Sequence, residues 1–144
     1  MTGQIELAKS AIENTFGIKC ESMSFNQLQF SCEINKILDL VEFIKNDPAC
    51  EFRQITDIAG VDFPDQPKRF EVIYHFLSFK HNIRLRLKTK LSENESLLSI
   101  TSLFPAANWF EREAFDMYGI QFRDHPDLRS CLLYTSDAAD EGHC

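Results

Sequence analysis

The sequence predicts an α+β domain of two layers, a mixed, mostly antiparallel sheet with helices packed on one side. Three observations carry that expectation. Apolar residues recur at helical spacing near the start of the chain, again from Ile34 to Ile44, and again around Trp109, whereas between Phe52 and Lys90 the strand period of two dominates. Helices are thus segregated from a run of strands, which favours α+β layering over the regular alternation of a parallel α/β sheet. A chain of 144 residues, 44% of them hydrophobic, buries roughly two-thirds of its unfolded surface, enough for one core. No internal repeat, low-complexity tract or interdomain linker divides it.

The elements follow in order. Ile5, Ala8, Ile12 and Phe16 mark a first helix over 4–16, with Gly17 as its stop. Met23 and Phe25 share one parity and Leu28, Phe30 and Cys32 the other, which predicts a bulged strand or two short ones. Ile34, Ile37, Leu38, Val41 and Ile44 outline an amphipathic helix that ends at Asn46-Asp47-Pro48. Phe52–Ile58 reads as a strand, and 62–67, rich in Asp and Pro, as the loop after it. From Arg69 to Phe79 both parities are apolar, so this strand is central with both faces partly covered. Ile83, Leu85 and Leu87 then alternate with Arg84, Arg86, Lys88 and Lys90, which gives a strand with one buried side and one solvated or partner-facing side. Lys80-His81-Asn82 is the turn between these two strands, and Leu97–Phe104 is an apolar segment of either type.

The last helix carries the most information. On a wheel of about 100° per residue, Phe110, Ala114, Met117 and Tyr118 share a core side, while Arg112, Glu113 and Asp116 gather with Trp109 on a charged one. Arg112 and Asp116, four apart, can pair along the helix for roughly 0.2 to 0.5 kcal/mol. Gly119 closes the helix and Pro126 prevents the exit loop from continuing it.

Several chemistries can be weighed on these residues. Glu111 and Glu113 are ill placed for an acid-base pair, because positions i and i+2 point about 200° apart; a surface or interface ion-pair network is expected instead. Asp124, His125 and Asp127 are metal ligands by residue type, but they form one short cluster with no second one, so hydrogen bonding that fixes the loop is expected and no metal. The basic strand would bind RNA only if aromatic side chains lay on the same exposed face, and no such signature is present. No dinucleotide fingerprint, phosphate loop or nucleophile elbow occurs.

A formal charge of -7 argues against a general nucleic-acid binder. No apolar run reaches the roughly 20 residues that span a bilayer, and the first residues lack the pattern of a secretory signal, so any membrane association is expected through a partner. The five cysteines, at 20, 32, 50, 131 and 144, have no metal-ligand spacing. Cys20, Cys32 and Cys50 are expected to be reduced, mostly packed thiols.

The run from Ala107 to Arg129 resembles the signature of the thirty-kilodalton subunit of respiratory complex I, the C subunit of the proton-pumping NADH-quinone oxidoreductase. Glu111-Arg112-Glu113, Asp116, Gly119-Ile120, Phe122 and His125-Pro126-Asp127-Leu128-Arg129 stand where that pattern places them. Ile55–Asp62, Arg69-Phe70-Glu71-Val72 with Tyr74, and Asn108-Trp109 resemble the same family in the same order. Asp124 occupies a place where the family usually has Gly, and Ser130 one where a second Arg is usual.

The resemblance implies an α+β fold and a non-catalytic structural subunit of the peripheral arm. It implies no cofactor in this chain, with FMN, iron-sulfur clusters and quinone bound elsewhere in the holoenzyme. Partners would be the quinone-proximal large subunit and other peripheral-arm subunits, at the cytoplasmic face of a bacterial inner membrane or the matrix face of the mitochondrial one. Trp109, Glu111, Arg112, Glu113, Asp116, Gly119, His125, Pro126, Asp127 and Arg129 would form one structural and partner-binding unit. Residues 1–129 are expected to be a single domain like that of the thirty-kilodalton family, and 130–144 a disordered or foreign tail in place of the family's own extension. Two alternatives are the equivalent subunit of a related membrane-bound hydrogenase or other-donor dehydrogenase, and a small free-standing metal- or carboxylate-dependent enzyme.

Overall fold

The computed structural model describes residues 2–125. Helix α1 (Thr2–Phe16) ends where Gly17 adopts a left-handed φ of 66°, and strands β1 (Ser22–Met23) and β2 (Gln27–Ser31) form a short antiparallel hairpin. The parity switch in the sequence therefore marks two strands and a turn. A single 3-10 turn (Ile34–Lys36) leads into α2 (Ile37–Asn46), which buries Ile37, Leu40, Val41 and Ile44 on one stripe.

Strand β3 (Gln54–Asp62) pairs antiparallel with β4 (Phe70–Ser78), and β4 with β5 (Ile83–Leu91). β3 runs further than the pattern predicts, because pairing continues to Asp62 opposite Phe70, with a bulge between Ile55 and Asp57. Phe52 lies ahead of the strand, fully buried in the core. The strand order is β1-β2-β5-β4-β3, with β2 and β5 parallel and the other pairs antiparallel. The α+β class and the mixed sheet are as predicted.

Strand pleating assigns the two faces. Leu28 and Phe30, Ile55 and Ile58, Phe70, Val72, Tyr74 and Phe76, and Ile83, Leu85 and Leu87 all point inward, where they meet α1 and α2 to form the core. Arg84, Arg86, Lys88 and Lys90 line the opposite face beside Glu71, Ile73, His75 and Leu77.

The apolar segment after β5 forms part of a small parallel pair. β6 (Ser96–Leu98) is followed by turns and then by α3 (Ala107–Tyr118), and β7 (Gln121–Arg123) returns to pair with β6 in register Leu97 to Phe122. A crossover helix is what a parallel pair requires. α3 also packs on β3, at a point where the backbone must come close. A Cβ placed on Gly60 would lie 2.8 Å from the Tyr118 ring.

Candidate functional site

α3 is held between β6 and β7, and one side chain does most of the fastening. Its buried stripe is Ala107, Glu111 and Ala114, with Tyr118 half-buried one turn on. Glu111 is therefore not part of a surface network, which corrects the expectation from sequence: its side chain is fully buried. The Ser99 hydroxyl donates to Oε1 at 2.7 Å and the Ile100 backbone N–H to Oε2 at 2.8 Å. Both donors come from the chain just after β6, so a carboxylate in the core pins the helix to the strand before it.

His125, likewise fully buried, completes the fastening from the other end. Its Nε2 lies 3.0 Å from the Asn108 carbonyl oxygen and 3.8 Å from Glu111 Oε1. A carbonyl only accepts, so Nε2 carries the proton. The residue just past β7 is thereby tied to the first turn of α3. Burial pushes the Glu111 carboxyl up to about 7, against the lowering effect of the Ser99 and Ile100 hydrogen bonds. The Tyr74 phenol is pushed well above its ordinary range by burial first and by Glu111 second, and its hydroxyl has no hydrogen-bond partner among the described residues.

This constellation has the residue types of acid-base chemistry without the access. Glu111 and His125 both have no solvent exposure, so no substrate reaches them. Among the described residues no group of three His, Cys, Asp or Glu side chains is placed to hold a metal ion.

The outer face of α3 is as open as the inner one is sealed. Trp109 is 69% exposed and Met117 67%. The helical wheel placed Met117 in the core; Ala107 and Glu111 take the inner positions instead, because the stripe that faces β6 runs through 107, 111 and 114. Glu113 and Asp116 are exposed, and Arg112 Nε lies 3.4 Å from Asp116 Oδ2, the predicted pair, though without hydrogen-bond geometry. Gly119 closes the helix at φ 74°, its N–H donating to the Phe115 carbonyl at 2.8 Å. Asp124, where a glycine was the expected residue, holds a φ of 65°, in the region that favours glycine. Of the predicted site, Pro126, Asp127, Arg129 and the 130–144 tail lie outside the described residues.

The upstream motif residues serve the frame. Arg69 grips Asp62 through Nε at 2.7 Å and a terminal nitrogen at 3.0 Å, which closes the β3–β4 connection, and reaches Glu93 at 2.6 Å. The Arg69 hydrogen bond holds the Asp62 carboxyl below its usual range. Spacing alone did not reveal this clamp. An acidic residue ending one strand and an Arg preceding the next was the available signal.

The mixed sheet with its helices on one face and a fastened crossover helix at its side defines an α+β domain whose fold occurs in solved structures. The fold superposes on a trypsin-resistant fragment (1–134) of Nqo5 with a TM-score of 0.74 at 25% identity, over 86% of this chain and 98% of the fragment. It also matches a chain in the structure of a membrane-bound sulfane sulfur reductase, an archaeal respiratory membrane complex, with a TM-score of 0.75 over 88% of this chain and 74% of that one. At 22% identity that likeness concerns the fold alone.

Residues 30–143 match the family described as respiratory-chain NADH dehydrogenase, 30 Kd subunit, and the chain belongs to that family. The match takes in much of the 130–144 tail, where the sequence by itself gives no visible correspondence. Among similar proteins are the NADH-quinone oxidoreductase C subunits of Methylobacterium radiotolerans, 45% identical over 85% of this chain and 55% of its own length, and of Rhodospirillum rubrum, 49% identical over 84% and 55%. That of Caulobacter vibrioides is 42% identical over 95% of this chain and 68% of its own length. The chain thus spans about half to two-thirds of the curated relatives it matches.

Proposed function

We propose that this chain is a structural subunit of the peripheral arm of a proton-translocating NADH-quinone oxidoreductase and performs no chemistry of its own. On this reading NADH, FMN, the iron-sulfur clusters and quinone are handled by other subunits. The chain docks beside the quinone-proximal large subunit, and so reaches the cytoplasmic face of a bacterial inner membrane only through the complex. No described helix is long and apolar enough to cross a membrane, which fits attachment through partners.

The observation that carries the proposal is the division of labour along α3. Its inner acid is spent on holding the helix in place, and its outer face presents Trp109 and Met117 amid Arg112, Glu113 and Asp116. An exposed Trp with a nearby Arg is the composition of an interface hot spot, and the buried Glu111 carboxyl is closed to solvent. Bacterial relatives at 42 to 49% identity that bear the NADH-quinone oxidoreductase name favour this assembly over a hydrogenase-type one. The test is copurification of the full-length protein with a cluster-bearing large subunit. A stoichiometric flavin or cluster spectrum in the purified chain itself would contradict it.

A further inference from the structure

The sheet face turned away from the helices carries a charge imbalance that the α3 site does not use. β5 places Arg84, Arg86, Lys88 and Lys90 along it. Lys88 is neutralised, with Glu21 at 3.6 Å and Glu71 at 3.9 Å, and Lys90 lies over the Phe63 ring. Arg84 and Arg86 have no ion pair among the described residues, and Arg86 Nε is buried with no hydrogen-bond acceptor there. In a chain of net charge -7, two adjacent unneutralised guanidiniums stand out.

The sheet register brings further groups to them. His75 on β4 lies opposite Arg86, and Asp57 on β3 lies opposite His75, while Gln27 and Gln29 on β2 flank Arg84 and Arg86 from the other side. Gln27, Thr56, His75, Arg84 and Arg86 line a pocket of about 240 Å³. Asp57, the nearest acid by register, faces His75 rather than either arginine. Burial and then the Arg86 charge lower the His75 pKa, against Asp57.

The surroundings of this pocket are apolar. Leu77 lies in the row of Arg84, and Ile73 next to that of Arg86, both half-buried. Phe79, just past β4, is 72% exposed, and Phe25 is 82% exposed beside Asn26, whose carbonyl accepts from the Arg84 N–H. A small free anion would satisfy the guanidiniums and leave these aromatics in water. A nucleic acid would meet Glu71 and Glu21 further along the same face.

We propose that the end of the open sheet face formed by Arg84, Arg86 and His75 docks an acidic protein segment flanked by apolar residues. Its carboxylates engage the guanidinium forks, which suit bidentate pairing, and its apolar residues cover Leu77, Phe79 and Phe25. The inference rests on the assembly role proposed for the chain and adds a second contact surface with defined partner chemistry.

The test uses the full-length protein in a strain lacking its own copy, scored by incorporation into the native complex. Arg84→Glu with Arg86→Glu should lower incorporation at least about tenfold, as charge juxtaposition does at interfaces, with an unchanged melting temperature. Arg84→Lys with Arg86→Lys should lose less, because charge is kept and the fork is lost. Arg84→Gln, at an exposed position, supplies a second variant whose folding is not in question. In the complex the His75 resonance should titrate higher than in the free chain. Normal incorporation of the double Glu variant, with Trp109→Ala failing, would overturn this inference and leave the α3 reading intact. Saturable elevation of the His75 pKa by inorganic phosphate, with assembly of the double Glu variant unaffected, would assign the pocket to a free oxyanion and overturn the docking.

Discussion

Ser99 Oγ sits 2.7 Å from Glu111 Oε1 in the core, and Ser99 is also bonded to Thr101 Oγ1 at 2.8 Å, so one hydroxyl ties α3 to the turn after β6. Hydrogen bonds to charged groups contribute about 1.5 to 3 kcal/mol. Ser99→Ala should destabilise the domain by that order in a denaturant titration on the alkaline side of about pH 7, where the Glu111 carboxyl is ionised. A cost below about 0.5 kcal/mol would mean the carboxyl is held by other groups.

The Glu111 carboxyl is pushed up to about 7 from an ordinary value of 4.5, so the folded chain holds its proton more tightly than the unfolded one. Stability from this group is complete below about 4.5, declines as pH rises toward 7, and stays low above it. At roughly 1.4 kcal/mol per unit, the decline is on the order of 3 kcal/mol. Glu111→Gln keeps an acceptor and cannot ionise. Subtracting its stability curve from that of the parent should expose the decline between pH 4.5 and 7, and a flat difference would place the titration elsewhere.

Gly60 lies under the Tyr118 ring, where a Cβ would come within 2.8 Å of Cδ2 and 3.3 Å of Ile120 Cδ1. Overpacking of this kind costs about 1 to 3 kcal/mol. Gly60→Ala should lower the melting temperature, and much of the loss should vanish in a Tyr118→Ala background. Additive effects in the double-mutant cycle would deny the close approach of α3 to β3.

Half-buried Arg112 and exposed Asp116 lie side by side along α3 without hydrogen-bond geometry, so Arg112→Ala should change monomer stability by no more than about 0.5 kcal/mol. At an assembled interface the loss should reach roughly 2 to 5 kcal/mol. Trp109→Ala should behave alike, folded by circular dichroism and poorly incorporated. Unchanged assembly of both variants would make the charged face a solvated one.

Burial pushes the Cys32 and Cys50 thiols up to about 12; Cys50 is buried, while Cys32 and Cys20 are half-buried, Cys20 Sγ lying 3.1 Å from the Ser22 carbonyl oxygen. Of these three, Cys20 should alkylate first at pH 8 when peptides are mapped by mass, Cys32 more slowly because its thiol is pushed up, and Cys50 only on unfolding. Equal rates would contradict the packing.

Elements with a clear period were legible from sequence. α2 and the alternation of β5 needed only the spacing of their apolar residues, and the closing role of Gly119 followed from its position. Glu111 was not legible as a core residue. The wheel drew its core side through Phe110, Ala114, Met117 and Tyr118, and a carboxyl is accepted beside Ala107 and Ala114 only because Ser99 and Ile100 supply donors from a segment whose structure the pattern left open. The parallel pairing of β2 with β5 was equally hidden, since register between distant strands is decided by tertiary packing rather than by local preference.

That pairing sets an order of events during synthesis. β2 leaves the ribosome long before β5, its only partner among the described residues besides the two-residue β1, and closing so long a loop costs entropy before any contact repays it. The β3–β4–β5 meander, joined by short connections, is free to form first and offer a template edge. The amino-terminal third would then wait as a helix and an unpaired hairpin, so a nascent chain stalled before Leu91 would expose Leu28 and Phe30, the very residues a chaperone would be expected to shield.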